Sequence, residues 1–211
     1  MKSGFVPDFF VPLLFNILIH MNKGAFNFKQ IKPLHPLLAL FPSGHYGIEH
    51  GYRVFRLVDK VCDFQQVGDE QRQTLKICAF FLDIGRDENQ LDLNQGIRTY
   101  RKLSQNKYLD KAILQTELCR FLIETQSLNI EEVDKHLDQY KIENRSETIF
   151  LFKILKDASA LDAFRFGNFC AADLQFSNSR KLVLYASQFY KRNLRQDLIV
   201  REMENWLKDI Q

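Results

Sequence analysis

In three separated segments of this chain, a histidine or a carboxylate lies at one end of an apolar run. The first segment, residues 45–53, carries His50, and the second, residues 78–86, ends its apolar run at Asp83. The third segment, residues 155–162, carries further carboxylates. Imidazole suits transition metals, carboxylates suit divalent cations generally, and a metal with open coordination positions activates water for phosphate ester hydrolysis. The pattern therefore indicates phosphoryl chemistry, provided that the fold brings the three segments together.

The elements that must position these residues are predicted to be helices. Gly (9) and Pro (5) are sparse against 19 Phe, and a hydrophobic content of 45% is enough for a packed core. Apolar residues recur at helical spacing, and strand-like alternation is almost absent. The sequence thus predicts a single all-α domain whose main helices span residues 48–64, 70–82, 96–103, 110–124, 129–140, 146–163, 179–190 and 197–208.

Side chains that terminate helices support several of these boundaries. Asp110 and Ser146 are expected N-caps, because their side-chain oxygens can accept hydrogen bonds from the first-turn amides. Asn129 and Glu132 have the spacing of a capping box.

Composition excludes some classes of partner and location. The net charge of +3 arises from 29 basic and 26 acidic residues mixed along the chain, so no nucleic acid or membrane partner is expected. Residues 5–21 are too short and too interrupted for a membrane span, and lack the flanks of a signal peptide. The cysteines are widely separated and are expected to be buried, reduced thiols, which favours a cytoplasmic protein, with a secreted effector as the alternative; they are Cys62, Cys78, Cys119 and Cys170.

The three segments resemble the motifs of the HD-domain superfamily of metal-dependent phosphohydrolases. Residues 47–54 (GIEHGYRV) resemble the opening stretch, residues 78–86 (CAFFLDIGR) the apolar run that ends in the His-Asp pair, and residues 156–167 (KDASALDAFRFG) the stretch with the final ligand. The resemblance implies an HD-like helical bundle over residues 43–170. An N-terminal helix and Pro-containing loop (1–42) are expected to pack on this core, and residues 171–211 are expected to add C-terminal helices to the same domain.

This sequence departs from the family pattern at two of the four ligand positions. Leu82 stands where the histidine of the His-Asp pair belongs, and Ser159 stands at the final aspartate, with Asp157 and Asp162 as alternatives if the register slides. Glu124 stands at an auxiliary family histidine. The resemblance therefore implies a degenerate site with no cofactor expected. If the altered site is active, it implies a divalent metal (Mn, Fe, Ni or Mg) on His50, Asp83 and Asp157.

A second resemblance points to metal-free chemistry. Residues 85–89 (GRDEN), together with His45 and His50, resemble motifs of the phosphodiesterase domains of SidE-type bacterial effectors. Those domains cleave a phosphodiester in ADP-ribosylated ubiquitin with histidines and a glutamate. The resemblance implies that His50 acts as nucleophile or base and that Glu88 orients a histidine or binds ribose, with His136 as the downstream histidine.

The same residues also have purely structural interpretations. His50 can be a satisfied core histidine, and His45 can cap the incoming helix. Asp83 lies at the unfavourable end of a helix dipole, where Arg86 or a charged His50 can compensate it as an ion pair that replaces the metal. Arg53, Arg86 and His45 are candidate phosphate contacts, because arginine binds phosphate in bidentate geometry, although charged residues on helices usually face solvent.

The leading hypothesis is a degenerate HD-domain protein, inactive as a classical metallohydrolase. It would retain a cleft for a nucleotide or another phosphate-containing ligand, or for a protein partner. One alternative is an active phosphohydrolase or phosphodiesterase with the catalytic set His50, Asp83 and Glu88, and another is a structural interaction scaffold. Under all three, His50 and Asp83 are predicted to face each other across one cleft.

Overall fold

Helices and turns make up the part of the chain that the computed structural model describes, residues 35–87, 92–106 and 116–210. No β-strand occurs in these ranges, so the prediction of an all-α fold is confirmed. The α-helices are α1 (Ile48–Gln65), α2 (Asp69–Phe81), α3 (Gln95–Ser104), α4 (Glu117–Glu124), α5 (Ile130–His136), α6 (Arg145–Leu161), α7 (Val183–Tyr190) and α8 (Gln196–Asp209).

Short 3-10 helices extend or connect several of these elements. The predicted helices over 129–140 and 179–190 each divide into an α-helix and a 3-10 helix, because the chain tightens at one end of each. The 3-10 helices are Leu38–Leu40, Gly44–Tyr46, Leu137–Gln139, Asp162–Phe166, Ala171–Asp173 and Ser177–Leu182.

The core lies between α1, α2 and α6. In α1 the stripe of Val54, Val58 and Val61 is fully buried, and in α2 every residue from Thr74 to Phe81 is buried. The C-terminal half of α2 is therefore enclosed by other elements, as the nearly continuous apolar run predicts, while its first two residues are exposed. Four phenylalanines of the core have no exposed surface, namely Phe80, Phe81, Phe121 and Phe152, whereas Phe64 and Phe166 are 40% and 42% exposed.

The helices α1 and α2 approach each other most closely at a glycine. A Cβ atom added to Gly51 would lie 2.2 Å from the backbone oxygen of Phe80. No other residue type fits this distance, so Gly51 sets the spacing of the two helices. Because His50 precedes Gly51 and Asp83 follows Phe80 by three residues, the same contact controls how closely the two predicted site residues meet.

Two N-caps differ from the sequence prediction. Helix α6 is capped by Asn144, whose side chain accepts a hydrogen bond from the amide of Glu147 at 3.1 Å, so the prediction of Ser146 as the cap is wrong. Asparagine is as good a cap as serine, and once it caps the helix, Ser146 lies exposed in the first turn. By contrast, the capping box of Asn129 and Glu132 at α5 is confirmed.

Replacing Asn144, the observed cap, should lower the free energy of unfolding more than replacing Ser146, the predicted cap. We expect Asn144→Ala to lower the free energy of unfolding by about 1 kcal/mol, because an amide of the first turn loses its acceptor. Ser146→Ala serves as the control and should stay within about 0.5 kcal/mol, as exposed substitutions usually do. Urea denaturation of both variants measures the difference, and a larger loss for Ser146→Ala would contradict the observed cap.

Helix α4 begins later than predicted. Thr116 has an extended backbone (φ −69°, ψ 135°) and its side chain accepts from the amide of Cys119, so α4 starts at Glu117 and no single helix runs through residue 116. The expected cap Asp110 lies outside the described residues, as do residues 1–34 with the predicted N-terminal helix. From the same N-terminal region, residues 35–42 are described, and they bury Leu37 and pack Phe41 against Phe80.

Three of the four cysteines follow the prediction. Cys62, Cys78 and Cys119 are buried free thiols, but Cys170 is exposed, because it lies in an extended connection rather than in a helix. A search of the described helices for a stretch long and apolar enough to cross a bilayer finds none.

Candidate functional site

A buried histidine between two carboxylates forms the centre of the candidate site. His50, on α1, is 1% exposed. Its Nδ1 lies 2.7 Å from Oδ2 of Asp162, and its Nε2 lies 3.0 Å from Oδ2 of Asp83. His50 and Asp83 therefore meet, as predicted, but in direct buried contact and not across a cleft.

The two ring nitrogens of His50 differ in their contacts. Nδ1 shares a hydrogen bond with Oδ2 of Asp162, whereas Nε2, although 3.0 Å from Oδ2 of Asp83, makes no well-aligned hydrogen bond among the described residues. Burial by itself raises the pKa of the Asp83 carboxyl, but the contact with His50 and the charges of Arg86 and Arg165 outweigh burial and lower it. For Asp162 the same opposition holds, and contacts with His50 and Arg53 lower its pKa. The surrounding donors and cations thus favour the ionised form of both carboxylates.

Arginines complete the buried charge network. Arg53, one turn after His50 on α1, holds Asp162 in a two-point contact, with Nε 2.5 Å from Oδ1 and Nη2 3.0 Å from Oδ2. Arg86 lies 3.4 Å from Oδ1 of Asp83, and its guanidinium stacks on the ring of Tyr46 at 3.9 Å. Two-point arginine–carboxylate pairs are among the strongest charge-assisted hydrogen bonds in proteins. The network therefore holds the end of α2 and the end of α6 against α1.

The turn Leu82–Gly85 presents Asp83 and is fixed by side chains of neighbouring helices. The backbone oxygen of Leu82 accepts hydrogen bonds from Thr99 Oγ1 at 3.1 Å, from Gln95 at 3.4 Å and from Gln126. Gln95 also donates to the carboxylate of Asp83. Two more side chains of α3 bind the carbonyls of this turn, namely Arg98 and Lys102. Carbonyls at the end of α2 that lack helical partners are thus satisfied, which makes the position of Asp83 rigid.

These residues do not fit a divalent metal. In this structure Nδ1 of His50 is engaged by Asp162, and Nε2 lies against Oδ2 of Asp83 at 3.0 Å. Both oxygens of Asp162 are engaged by Arg53, and Leu82 supplies no side-chain ligand. Within the described ranges, no group of three or more His, Cys, Asp or Glu side chains is arranged to hold a metal ion.

The aspartate that meets His50 is Asp162 and not Asp157, so the expected trio of His50, Asp83 and Asp157 is not assembled. Asp157 is fully buried, but its oxygens accept from the amides of Gln175 at 2.6 Å and Phe176 at 3.1 Å. Residues five apart on a helix point in different directions, since each residue turns the helix by 100°. Asp157 therefore anchors the segment after the 3-10 helix Ala171–Asp173.

The remaining predicted site residues lie apart from the network or outside the description. His45 is exposed and its ring lies 5.5 Å from that of Phe166. His136 contacts Gln139 at the end of α5. Glu88 lies outside the described residues. Glu124, at the auxiliary histidine position, pairs with Arg120 and with the hydroxyl of Tyr140.

Sequence reasoning missed Arg165, the third arginine of the site. Its side chain is 7% exposed, and its Nη1 donates to the backbone oxygen of Asp162 at 3.0 Å. No hydrogen bond of the described residues involves its Nε, which is buried. Burial lowers the pKa of Arg165, while the charges of Asp162 and Asp83 oppose that shift. Its position three residues after Asp162, at the end of a helix, was the available signal.

A cavity of about 570 Å³ borders the network. Leu82 and Ser159, the two substituted ligand positions, both line it, together with Arg165. Other polar residues in its wall carry both charges and neutral hydrogen-bonding groups: Lys156, Gln126, Asn129, Glu131, Asp173 and Gln175. Nζ of Lys156 donates to the backbone oxygens of Gln126 and Leu128, and burial lowers its pKa.

Comparison with protein-family models, with curated protein sequences and with solved structures finds no significant match to this chain.

Proposed function

We propose that this protein is a degenerate HD-domain protein that binds a nucleotide, or a related phosphate-containing molecule, in the cavity beside Arg165. In this proposal the Asp83–His50–Asp162 network occupies the volume of a metal centre and stabilises the cavity wall. The protein is then inactive as a classical metallohydrolase.

The main support is Arg165, which lines the cavity and whose buried Nε has no hydrogen bond among the described residues. A guanidinium buried to this degree loses hydration, and its Nε has no partner among the described residues. In Arg53, Nε and Nη2 together donate to a carboxylate, which shows how an arginine side chain binds an anionic group through these atoms. An anionic oxygen arriving from the cavity would give Arg165 the charge-assisted bonds it lacks.

The volume of the cavity and the charges in its wall indicate which kind of ligand it can bind. A volume of about 570 Å³ is in the usual range for sites that bind small molecules. The wall carries the acidic residues Glu131 and Asp173 beside the basic Arg165 and Lys156, so a purely anionic ligand would meet repulsion. A nucleotide combines a phosphate with hydroxyl and amine donors, and it therefore matches both signs of charge.

Removing the guanidinium should weaken ligand binding strongly. We expect one nucleoside monophosphate from a panel to raise the melting temperature of the wild type, and Arg165→Met to weaken its binding about 10-fold to 100-fold, because a hydrogen bond to a charged group contributes about 1.5–3 kcal/mol. Thermal shift followed by calorimetric titration measures the effect. The matched control is Arg145→Met, an exposed arginine of α6, which should bind as the wild type does.

A second variant separates binding from folding. Ser159 is half-buried and lines the cavity outside the charge network, so Ser159→Phe should block the ligand while urea denaturation shows an intact fold. Absence of any ligand-induced shift across the panel would contradict the proposal. So would a near-stoichiometric content of Mn, Fe or Ni in the purified protein, which would favour the altered-site hydrolase instead.

A further inference from the structure

A second feature is a run of basic residues around α7, two of which contact aromatic rings and four of which form no ion pair within the described ranges. Residues 174–196 contain five basic residues and no acidic residue. Arg195 pairs with Asp197, but the structure shows no ion pair within its described ranges for the other four, Arg180, Lys181, Lys191 and Arg192. Elsewhere most described arginines are paired with carboxylates, so the local excess is unlike the nearly neutral chain as a whole.

The exposed residues of this region lie on α7 and at its two ends. Within α7, Leu184 and Gln188 are four residues apart and share a face. Arg180 lies in the preceding 3-10 helix Ser177–Leu182, and Lys191 directly follows the last residue of α7. All four are exposed, and so are Lys181 and Arg192. The opposite side packs inward through Ala186 and Phe189, which are 2% and 5% exposed. We call these six exposed residues the α7 face: Arg180, Lys181, Leu184, Gln188, Lys191 and Arg192.

An apolar side chain lies at the centre of the α7 face. Leu184 is 69% exposed, which is the largest exposure among the large hydrophobic residues that the structure describes. A cationic pair lies before it and another after it, over a length of roughly 20 Å at the rise of a helix. Leucine exposed between unpaired charges is the composition of an interface with an apolar contact and an ionic rim.

We propose that the α7 face binds an acidic segment of a partner protein that places an apolar side chain on Leu184. Charge complementarity supplies the attraction and the orientation, and Leu184 supplies apolar area at the centre. A phosphate backbone would gain nothing from the leucine. An anionic membrane fits less well, because interfacial helices insert a broad apolar face and α7 already buries its own against the domain.

The test uses a defined probe and two variants of equal charge change. The probe is a fluorescein-labelled acidic peptide with Leu at about every fourth position and Glu and Ala between, so that helix-favouring Ala separates the like charges of Glu. Reversal of the α7 face (Arg180→Glu, Lys181→Glu, Lys191→Glu, Arg192→Glu) should weaken its binding at least about 10-fold, as measured by fluorescence anisotropy. The control reverses four exposed basic residues elsewhere and should stay within about twofold of the wild type; these changes are Arg101→Glu, Lys135→Glu, Lys141→Glu and Lys208→Glu.

Other results would overturn the proposal. If the two sets of charge reversals weakened peptide binding equally, binding would be assigned to the net charge of the protein and not to the α7 face. If the wild type did not bind the peptide, the proposed interface would be rejected. Leu184→Ala should weaken binding about fivefold, and an unchanged affinity would reject the central contact. The membrane alternative is tested by cosedimentation with phosphatidylcholine vesicles that contain about 30% phosphatidylserine. If the wild type cosediments, the reversed variant does not, and the peptide does not bind, the α7 face would be assigned to membranes.

Discussion

Asp162→Ala should lower the free energy of unfolding by about 3–5 kcal/mol, the usual result of removing one partner from a buried ion pair. Asp162 is 1% exposed and is the shared partner of His50 and Arg53. Its loss would leave the Arg53 guanidinium without its two-point contact and Nδ1 of His50 without its hydrogen bond. Urea denaturation of wild type and variant measures the change, which is a large share of the stability of a domain of this size.

The control for this variant is an exposed aspartate of the same chain. Asp173→Ala should change the unfolding free energy by less than about 0.5 kcal/mol, since Asp173 lies on the surface. If Asp162→Ala cost no more than Asp173→Ala, His50 and Arg53 would have to find other partners, and the network would not be what joins α1 to the end of α6.

The pH dependence of stability gives an independent check on the same carboxylate. The folded state lowers the pKa of Asp83 and Asp162 below the ordinary value of 3.8, so their contribution is complete above that pH and disappears as the pH falls through the folded values. We expect the unfolding free energy of the wild type to decline below about pH 4. In Asp162→Asn, which cannot titrate at this position, the decline should be shallower.

Helices defined by continuous apolar spacing were predictable from the sequence. The predicted spans 48–64 and 70–82 agree with α1 and α2 within one residue at each end, because a buried stripe or an all-apolar run leaves few alternatives. The boundaries at Asn144 and Thr116 were missed, since each competes with another good N-cap nearby in the chain. Local capping preference is too similar among Asn, Ser, Thr and Asp to decide between neighbours.

The candidate site was predictable only where its contacts follow helix geometry. His50 lies on α1 and Asp83 lies in the turn directly after α2, and because these helices pack closely their contact was anticipated. The choice of Asp162 over Asp157 depends on where α6 ends and the 3-10 helix begins, which spacing alone does not give. Arg165 lies in that same 3-10 helix, so its burial depends on a change of helix type. Long-range partners such as Gln95 were beyond any local pattern.

The second large effect is expected at Gly51, where an added side chain should disturb both the packing and the site. Gly51→Ser places a Cβ about 2.2 Å from the backbone oxygen of Phe80, and a backbone atom cannot rotate away as a side chain can. We expect α1 and α2 to separate, with a loss of about 1–3 kcal/mol of unfolding free energy, as is usual for overpacked cores. The separation should also lengthen the contact between His50 and Asp83, which changes the ¹⁵N chemical shift of the His50 ring by NMR.

The same substitution at a roomy position provides the control. A Cβ on Gly68, the N-cap of α2, would meet within 4 Å only the side-chain oxygen of Gln71 at 3.1 Å, the movable end of a flexible side chain. Serine is also a preferred N-cap, so Gly68→Ser should leave the free energy of unfolding unchanged or raise it by roughly a few tenths of a kcal/mol. Equal destabilisation by both substitutions would mean that the α1–α2 spacing does not depend on Gly51. If Gly51→Ser destabilised the protein but left the His50 spectrum unchanged, α1 and α2 would pack independently of the charge network. The contacts of Asp83 with arginine and glutamine side chains would then be what keeps Asp83 against His50.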